Sequence, residues 1–521
     1  MAAGGASIVA GGRLGRPEMA VVGVCALLGV AAAATGGLSG IALALVVVVP
    51  IFLGVALGIF GVTGSLLGLC AVSSVYLMNR IDEGVVIPFG ETSLKASYWI
   101  VMAAALVLFV IVVGRLMAGQ QKLPGATDFA TRFTLLVLGF GGVMLLGGVM
   151  NTTLTQTTYD RSVVGQTLAS VSILTPMLFV PLILLAPMKR RHIIITLQAI
   201  IALGGVAGIT MAAFGFLPGK LLDMLGWAAA NQGTVGLLRG RLPLGHPNSV
   251  AAVLILLLPP TVVLTLIPGN RQFRAAYLLA ATLMFGGILF TLARSALLVT
   301  VLVLGLTVCY IFFGKGRKTI ATYMLPVFFG VGLLAVMTYL FLTLDFSRFW
   351  SRAYYEDATV ERRNASLVTS LYVFKDHPLW GITPDAMYTR LELRPGWEPP
   401  MSDKISPIFY YEQHMSAETP HNMYLTVLAE TGILGAICFF GAIFSVFQVV
   451  WKLRHAPGLS DEQRHALMGF MLGMLGFLLM GAFESVLMVG IRPAFLFWAV
   501  AGLTVRYAHE LAAPAADPVR A

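Results

Sequence analysis

Charged residues are scarce in this chain of 521 residues, at 11%, whereas hydrophobic residues make up 58%. A soluble domain carries about 25% charged residues, so the composition excludes an ordinary soluble enzyme. Long runs of mostly apolar residues recur along the chain, and about 20 such residues suffice to cross a bilayer as a helix. The composition therefore predicts an all-α polytopic membrane protein.

Cysteine is also rare. The four cysteines all lie inside apolar runs, at Cys25, Cys70, Cys309 and Cys438. Their placement argues against disulfides and metal–thiolate sites. The chain also lacks a Walker motif, a GxGxxG followed by an acidic residue, and the Asp-x-Asp that would hold a metal-bound nucleotide sugar. We therefore expect neither a metal nor a cofactor.

The net charge of +10 is not gathered into a basic cluster with interleaved aromatics, so no nucleic-acid partner is expected. The basic residues fall instead in short loops, where Lys and Arg mark the cytoplasmic side of a membrane protein. These loops contain Met188–His192, Arg271 with Arg274, Gly314–Lys318, and Lys452 with Arg454. A count of fourteen spans places all of them, and both termini, on one side.

About fourteen transmembrane helices are predicted, within a range of 12–14. Only a glycine-containing kink near 58–64 separates the second from the third, which leaves thirteen spans or a re-entrant pair as alternatives. The predicted spans are 19–36, 41–58, 62–79, 98–117, 132–150, 166–187, 193–214, 248–267, 275–292, 296–313, 320–343, 422–450, 465–486 and 490–507. The side opposite the basic loops then carries two long loops, about 215–247 and 344–421. The second is rich in Tyr, Trp, Pro and charge, and it alone is large enough for a small extramembrane domain.

Two adjacent polar residues, His421 and Asn422, lie at the start of one predicted span. Thr419 and Pro420 have the character of an N-cap and a first helical residue, which would place His421 in the first turn. There the positive end of the helix dipole favours the neutral imidazole over the imidazolium. A neutral His421 beside exposed N–H groups could accept a proton and adjoin a phosphate. This pattern indicates chemistry at a membrane surface, with Asn422 next to it.

Further polar residues converge on the same side. Arg294 lies in a tight turn between two spans, where an arginine is costly unless it is paired or lines a wet cavity. Arg239 and Arg241 precede His246 and Asn248, which flank a second helix start at a proline. Because guanidinium groups bind phosphate in a bidentate manner, these residues predict a pyrophosphate cradle. The choice between the first two arginines stays open, and His246 and Asn248 could equally serve as caps.

Two carboxylates lie inside predicted spans. Glu430 follows His421 by nine residues and so falls on the opposite face of a helix, where it suits an interhelical hydrogen bond. Glu484 is a buried polar residue to which the sequence assigns no task.

Together these features resemble the O-antigen ligase and polymerase family of bacterial envelope enzymes. The resemblance covers about 236–440, and each motif that carries it is short. The motifs are His421-Asn422 followed after nine residues by Gly432-x-x-Gly435, Arg294-Ser-Ala-Leu-Leu298, Arg241 through His246-Pro247-Asn248, and His377-Pro-Leu-Trp-Gly381. Their order and their shared side of the membrane make the combination more specific than any one motif.

The resemblance implies a GT-C-like integral membrane glycosyltransferase of the bacterial cytoplasmic (inner) membrane, with one long periplasmic loop and a periplasmic active site. Its donor would be a glycan on undecaprenyl pyrophosphate, and its acceptor a hydroxyl on lipid A-core, a growing glycan or a protein. Transfer would use no metal and would invert the anomeric centre. Among the residues, the catalytic ones would be His421 and Arg294, and the substrate-binding ones Arg241, Arg239, Asn422, Asn248 and His246.

The expected organisation is a transmembrane bundle over 1–235, a catalytic region over 236–450 that includes loop 344–421, and a helix pair with a cytoplasmic tail over 451–521. Two features depart from the family pattern: the spans exceed twelve, and the distance from Arg241 to Asn248 is short. The alternative function is a transporter or flippase of lipid-linked glycans, which predicts charges at mid-membrane depth and two related halves. Ligase, polymerase and protein glycosyltransferase are not separated by the sequence.

Overall fold

The computed structural model describes residues 86–89, 92–95, 114, 117, 126–154, 170–171, 173–186, 188, 190–216, 247–266, 273–291, 293–313, 367, 370–371, 373–382, 421–488 and 491–512. Two short strands come first, β1 (Val86–Phe89) and β2 (Thr92–Lys95). The helices that follow are α1 (Ala126–Leu154), α2 (Phe179–Leu185), α3 (Arg190–Phe216), α4 (Pro247–Leu266), α5 (Arg274–Phe290), α6 (Arg294–Phe313), α7 (Met423–Arg454), α8 (Asp461–Met480) and α9 (Ile491–Ala512).

Several of these helices are long and apolar enough to cross a membrane. Within the described residues there are six, Ala126–Met150, Arg190–Met211, Pro247–Leu266, Arg294–Ile311, Met423–Arg454 and Asp461–Met480. Two shorter apolar helices, Ile173–Leu185 and Arg274–Phe290, accompany them. The chain is therefore a multi-pass helical membrane protein. The predicted spans 19–36, 41–58, 62–79, 98–117 and 320–343 lie outside the described residues, except for Gly114 and Met117.

One local element differs from the purely helical expectation. β1 and β2 pair antiparallel, with Phe89 opposite Thr92 and Val86 opposite Lys95. The sequence signal is the two-residue link Gly90-Glu91, a length and glycine position typical of tight hairpins. The prediction overlooked it because the surrounding apolar runs dominate this part of the chain. The fold class is unchanged, since every other described element is helical.

α4 forms the centre of the described bundle, with α5, α6 and α8 packed around it and almost all of its side chains buried. It contains Pro260, which has no N–H to donate to the carbonyl of Leu256. That carbonyl points at α8, where a Cβ on Gly473 would lie only 2.0 Å from the Leu256 oxygen. Glycine at this position therefore lets α8 approach the proline-containing part of α4 closely.

Aromatic side chains join α1, α7 and α9. The rings of Phe140 and Phe439 lie 5.2 Å apart, and Trp498 meets Phe133 edge-on at 5.7 Å. Large apolar side chains elsewhere on the long helices remain exposed, as expected of surfaces that face lipid. Examples are Leu135, Leu138, Val301, Leu302, Ile437 and Phe444.

The basic helix ends lie together at one end of the bundle. Arg506, near the end of α9, is buried and donates to the carbonyls of Leu184 and Met188. Arg274, at the start of α5, donates to the carbonyl of Thr265 at 2.7 Å. Arg454 ends α7 and lies 4.1 Å above the Trp451 ring. The opposite ends of α4, α7 and α8 meet at the site described next.

Candidate active site

The N-terminus of α7 begins one residue after His421. Asn422 is the N-cap: its side-chain oxygen accepts from the N–H of Leu425 at 3.1 Å. The predicted start at Thr419 and Pro420 is therefore wrong, because a cap that can accept from a free N–H stands later in the chain. His421 lies just outside the helix with a positive φ of 47°, which is uncommon for a residue with a side chain. Its position in a strained turn is typical of a functional residue.

The turn between α8 and α9 holds this helix start in place. The N–H of Met423 donates to the carbonyl of Gly481 at 2.7 Å, and the hydroxyl of Tyr424 donates to the carbonyl of Leu478 at 2.9 Å. The amide of Asn422 donates to the carbonyl of Ala482 at 3.1 Å. The side chain of Asn422, predicted to bind substrate, is thus occupied at both ends by contacts within the protein.

Glu484, in the same turn, forms the central contact of the site. Its Oε1 lies 2.9 Å from Nδ1 of His421, and its side chain is 10% exposed, against 26% for the histidine. A carboxylate at Nδ1 accepts the Nδ1–H bond, which fixes the tautomer whose Nε2 can accept a proton. The arrangement also stabilises positive charge that develops on the ring. His421 is thus oriented by a carboxylate, and the prediction that it lies in the first helical turn is wrong because α7 begins at Met423.

Asn248 holds the other oxygen of the same carboxylate. Its Nδ2 donates to Oε2 of Glu484 at 2.8 Å, and the residue is 4% exposed. α4 begins at Pro247, as the sequence predicted, so Asn248 comes within the first turn. Three segments far apart in the chain therefore meet at Glu484. The sequence placed Asn248 and His421 on one side of the membrane but did not reveal the carboxylate between them.

Arg294 is the first residue of α6, and its side chain is exposed. Its depth follows from the packing around Gly476 of α8, where a Cβ would meet both Ile255 of α4 and Val303 of α6. Pro247 precedes Ile255 by eight residues in α4, and Arg294 precedes Val303 by nine residues in α6. At 1.5 Å per residue both lie about 12–14 Å away, toward the same end. Arg294 therefore lies toward the same end of the bundle as Asn248.

A break in α7 lies nine residues beyond the helix start. Gly432 has φ 62° and ψ −168°, a backbone conformation that is essentially confined to glycine. Segment 377–382 of the long loop docks there. The carbonyls of Pro378 and Leu379 accept from the N–H groups of Ile433 at 2.8 Å and Leu434 at 3.2 Å. These N–H groups lack their helical partners because the helix is interrupted, and the loop supplies the replacement.

The fit between loop and helix depends on a second glycine. Gly381 has φ 68°, and a Cβ there would lie 2.3 Å from the main-chain carbon of Glu430. A Cβ on Gly432 would lie 2.4 Å from the main chain of Leu379. The His-Pro-Leu-Trp-Gly motif and the first glycine of Gly-x-x-Gly therefore form one contact between main chains.

The predicted residues Arg239, Arg241 and His246 lie outside the described residues. Within the described part of the chain, no group of three or more His, Cys, Asp and Glu side chains is arranged to hold a metal ion. The candidate site in the described residues thus consists of His421, Glu484 and Asn248, with Arg294 toward the same end of the bundle.

Residues 279–440 match the family model described as O-antigen ligase. The matched segment includes Arg294, segment 377–382 and His421, and it confirms the family resemblance seen in the motifs. Asn248 precedes the match and Glu484 follows it. No curated protein matches the chain.

Proposed function

We propose that this protein, which matches the O-antigen ligase family model over residues 279–440, is an integral membrane glycosyltransferase of the ligase or polymerase type. It takes a glycan from undecaprenyl pyrophosphate and transfers it to an acceptor hydroxyl on lipid A-core, a growing glycan or a protein. The reaction inverts the anomeric centre and needs no metal. The observation that carries the proposal is the contact between His421 and Glu484 beside the N-terminus of α7. His421 lies inside the matched segment and belongs to the motif that resembles the family.

The proposed chemistry begins at Nε2 of His421. This nitrogen accepts the proton of the acceptor hydroxyl as the acceptor oxygen forms its bond to the anomeric carbon. The bond between that carbon and the pyrophosphate oxygen breaks, and undecaprenyl pyrophosphate leaves with the bonding electrons. Glu484 keeps the ring oriented and stabilises the imidazolium that forms. Asn248 in turn holds Glu484.

Arginine and helix N-termini would neutralise the leaving pyrophosphate. α4, α6 and α7 all begin at this end of the bundle, and a helix N-terminus favours anions. Arg294, at the start of α6, would bind the pyrophosphate, with Arg241 or Arg239 as a second guanidinium. These groups would stabilise charge developing in the transition state, a task that a metal ion performs in other transferases.

The proposed location is the bacterial cytoplasmic membrane with the site on the periplasmic side. The support is the distribution of charge, since the basic helix ends lie at the end opposite His421 and such residues mark the cytoplasm. We also propose the full GT-C-like arrangement of about fourteen spans. The catalytic region, assigned to 236–450, is extended to include the turn at Glu484, while 1–235 remains a transmembrane bundle.

A transfer assay with the purified protein in proteoliposomes tests the proposal. With an undecaprenyl-pyrophosphate-linked glycan and an acceptor, the parent should form the glycosylated acceptor and release undecaprenyl pyrophosphate, even with excess EDTA. Heat-treated protein serves as the control. Movement of the intact donor across the bilayer without product would identify the alternative, a flippase. Product formation abolished by EDTA and restored by magnesium would refute the metal-independent account.

A further inference from the structure

The docked loop segment contains a largely exposed apolar tip, Pro378 to Trp380, beside the lipid-facing part of α7. Pro378 is exposed, and Leu379 is 49% exposed despite its apolar side chain. The α7 residues that bond to their carbonyls are also exposed, Ile433 at 41% and Leu434 at 43%. Loop and helix thus present one continuous apolar surface.

Main-chain hydrogen bonds connect the tip and the residues beside it to the rest of the protein. Besides the two carbonyls that α7 binds, the N–H of Ile382 donates to the carbonyl of Ala429 at 3.0 Å. The N–H of Gly381 donates to the carbonyl of His377 at 3.1 Å. Pro378 has no N–H to satisfy. Main-chain hydrogen bonds on both sides of the tip therefore tie it to α7 and fix its place beside the exposed apolar side chains of that helix.

The environment of α7 changes at the break. Before Gly432 its residues are buried or half-buried, and its exposed apolar side chains begin immediately after it. The 22 residues from Ile433 to Arg454 have a helical length of about 33 Å, close to the roughly 30 Å hydrocarbon core. The break therefore lies where α7 leaves the hydrocarbon core, and the docked tip lies at that boundary.

We propose that Pro378, Leu379 and Trp380 form a membrane anchor that contacts phospholipid in the leaflet at the His421 end of the bundle. Tryptophan beside apolar residues is the composition found at membrane interfaces. Lys375 and Asp376, both exposed and charged, come just before the tip and are expected to lie on its water side. The anchor fixes this part of the long loop at the bilayer surface, next to α7. It is independent of which reaction the site performs.

Site-directed fluorescence tests the anchor. The native cysteines are replaced by serine, and Leu379→Cys, Pro378→Cys, Asp376→Cys and Ile437→Cys are each labelled with an environment-sensitive nitrobenzoxadiazole dye in phosphatidylglycerol and phosphatidylethanolamine vesicles. Quenching is measured with aqueous iodide and with phospholipids that carry a nitroxide near the headgroup. Ile437, 61% exposed on α7, is the lipid-facing control, and Asp376 is the water-facing control.

The dyes at Leu379 and Pro378 should be quenched by the nitroxide lipid, with iodide quenching several-fold weaker than at Asp376. Equal iodide quenching at Leu379, Pro378 and Asp376 would overturn the anchor. A third outcome would also overturn it: protection from both quenchers that appears only when a polyprenyl pyrophosphate lipid is added. The apolar surface would then bind the donor chain and not bulk lipid. Retained gel-filtration behaviour of each labelled variant establishes that it is folded.

Discussion

At the scale of single residues, Glu484 determines what His421 can do. A carboxylate with one oxygen on His421 and the other on Asn248 has little freedom to reorient. Each of these two contacts lowers the free-energy cost of holding the imidazole in one tautomer before the acceptor of the proposed reaction binds. Asn248 is therefore interpreted as a positioning residue, because its amide reaches Glu484 and its side chain is buried.

Asn248→Leu tests that role. Leucine has a similar size but no donor, so one oxygen of the buried carboxylate loses its partner, at a cost of about 1–3 kcal/mol. Transfer should slow, by about tenfold or more in kcat, while KM for the lipid-linked donor stays nearly constant. Steady-state kinetics in proteoliposomes measure both quantities. A rise in KM with unchanged kcat would instead restore Asn248 to the substrate-binding role predicted from the sequence.

At the scale of elements, the break in α7 is the place where segment 377–382 of the long loop docks on the helix. This contact is called the loop–helix joint. Gly381 and Gly432 let two main chains approach each other, and the loop carbonyls replace the bonds that the helix loses. The joint lies nine residues after the start of α7. It therefore supports the short helical segment between His421 and the break.

Gly432→Ala should disrupt this joint. The φ/ψ of Gly432 costs about 1–3 kcal/mol for a residue with a Cβ, and the added carbon would also collide with Leu379. The free energy of unfolding should fall by at least that amount. The matched control is Gly305→Ala in α6, where a Cβ meets nothing within 4 Å. Alanine in a helix there should be neutral or stabilising by up to about 1 kcal/mol. Thermal unfolding in nanodiscs compares the melting temperatures of Gly432→Ala and Gly305→Ala. Equal melting temperatures would contradict the stabilising role of the joint.

The sequence predicted the described helices well where apolar runs are long, as in α4, α5 and α6, because hydrophobic length decides a span. It also placed His421 and Asn248 on one side. The link through Glu484 was not predictable, since the residue is 63 positions beyond His421. It is brought there by the packing of α8 against α4 and by hydrogen bonds from the start of α7 to α8 and the turn after it. The break at Gly432 was not predicted either, because Gly-x-x-Gly also suits ordinary close helix packing.

At the scale of the whole molecule, the basic helix ends and the candidate active site lie at opposite ends of the bundle. Arg274, Arg454 and Arg506 lie at one end of the bundle, and His421 and Glu484 lie at the other. If the basic end faces the cytoplasm, the candidate site faces the opposite side of the membrane, as the proposed function requires.

Labelling with an impermeant maleimide tests this orientation. In a cysteine-free background, Asp376→Cys should react in intact spheroplasts, because it is exposed at the His421 end. Pro457→Cys, exposed in the turn after α7, should react only after the membrane is opened. The reverse pattern would place the site in the cytoplasm and remove the proposed periplasmic donor.

The central claim is that Glu484 acts through His421, and a double-mutant cycle of single-turnover transfer rates tests it most directly. Glu484→Gln should lower the rate by about 10²- to 10⁴-fold, as the loss of a carboxylate that orients a catalytic histidine does elsewhere. His421→Ala should lower it at least as much, with donor binding retained. The double variant should then be no slower than His421→Ala alone, because both changes remove one function. Asp128→Asn, an exposed change in α1, is the control and should have the parent's rate. Losses that multiply in the double variant, or an active His421→Ala, would contradict the account.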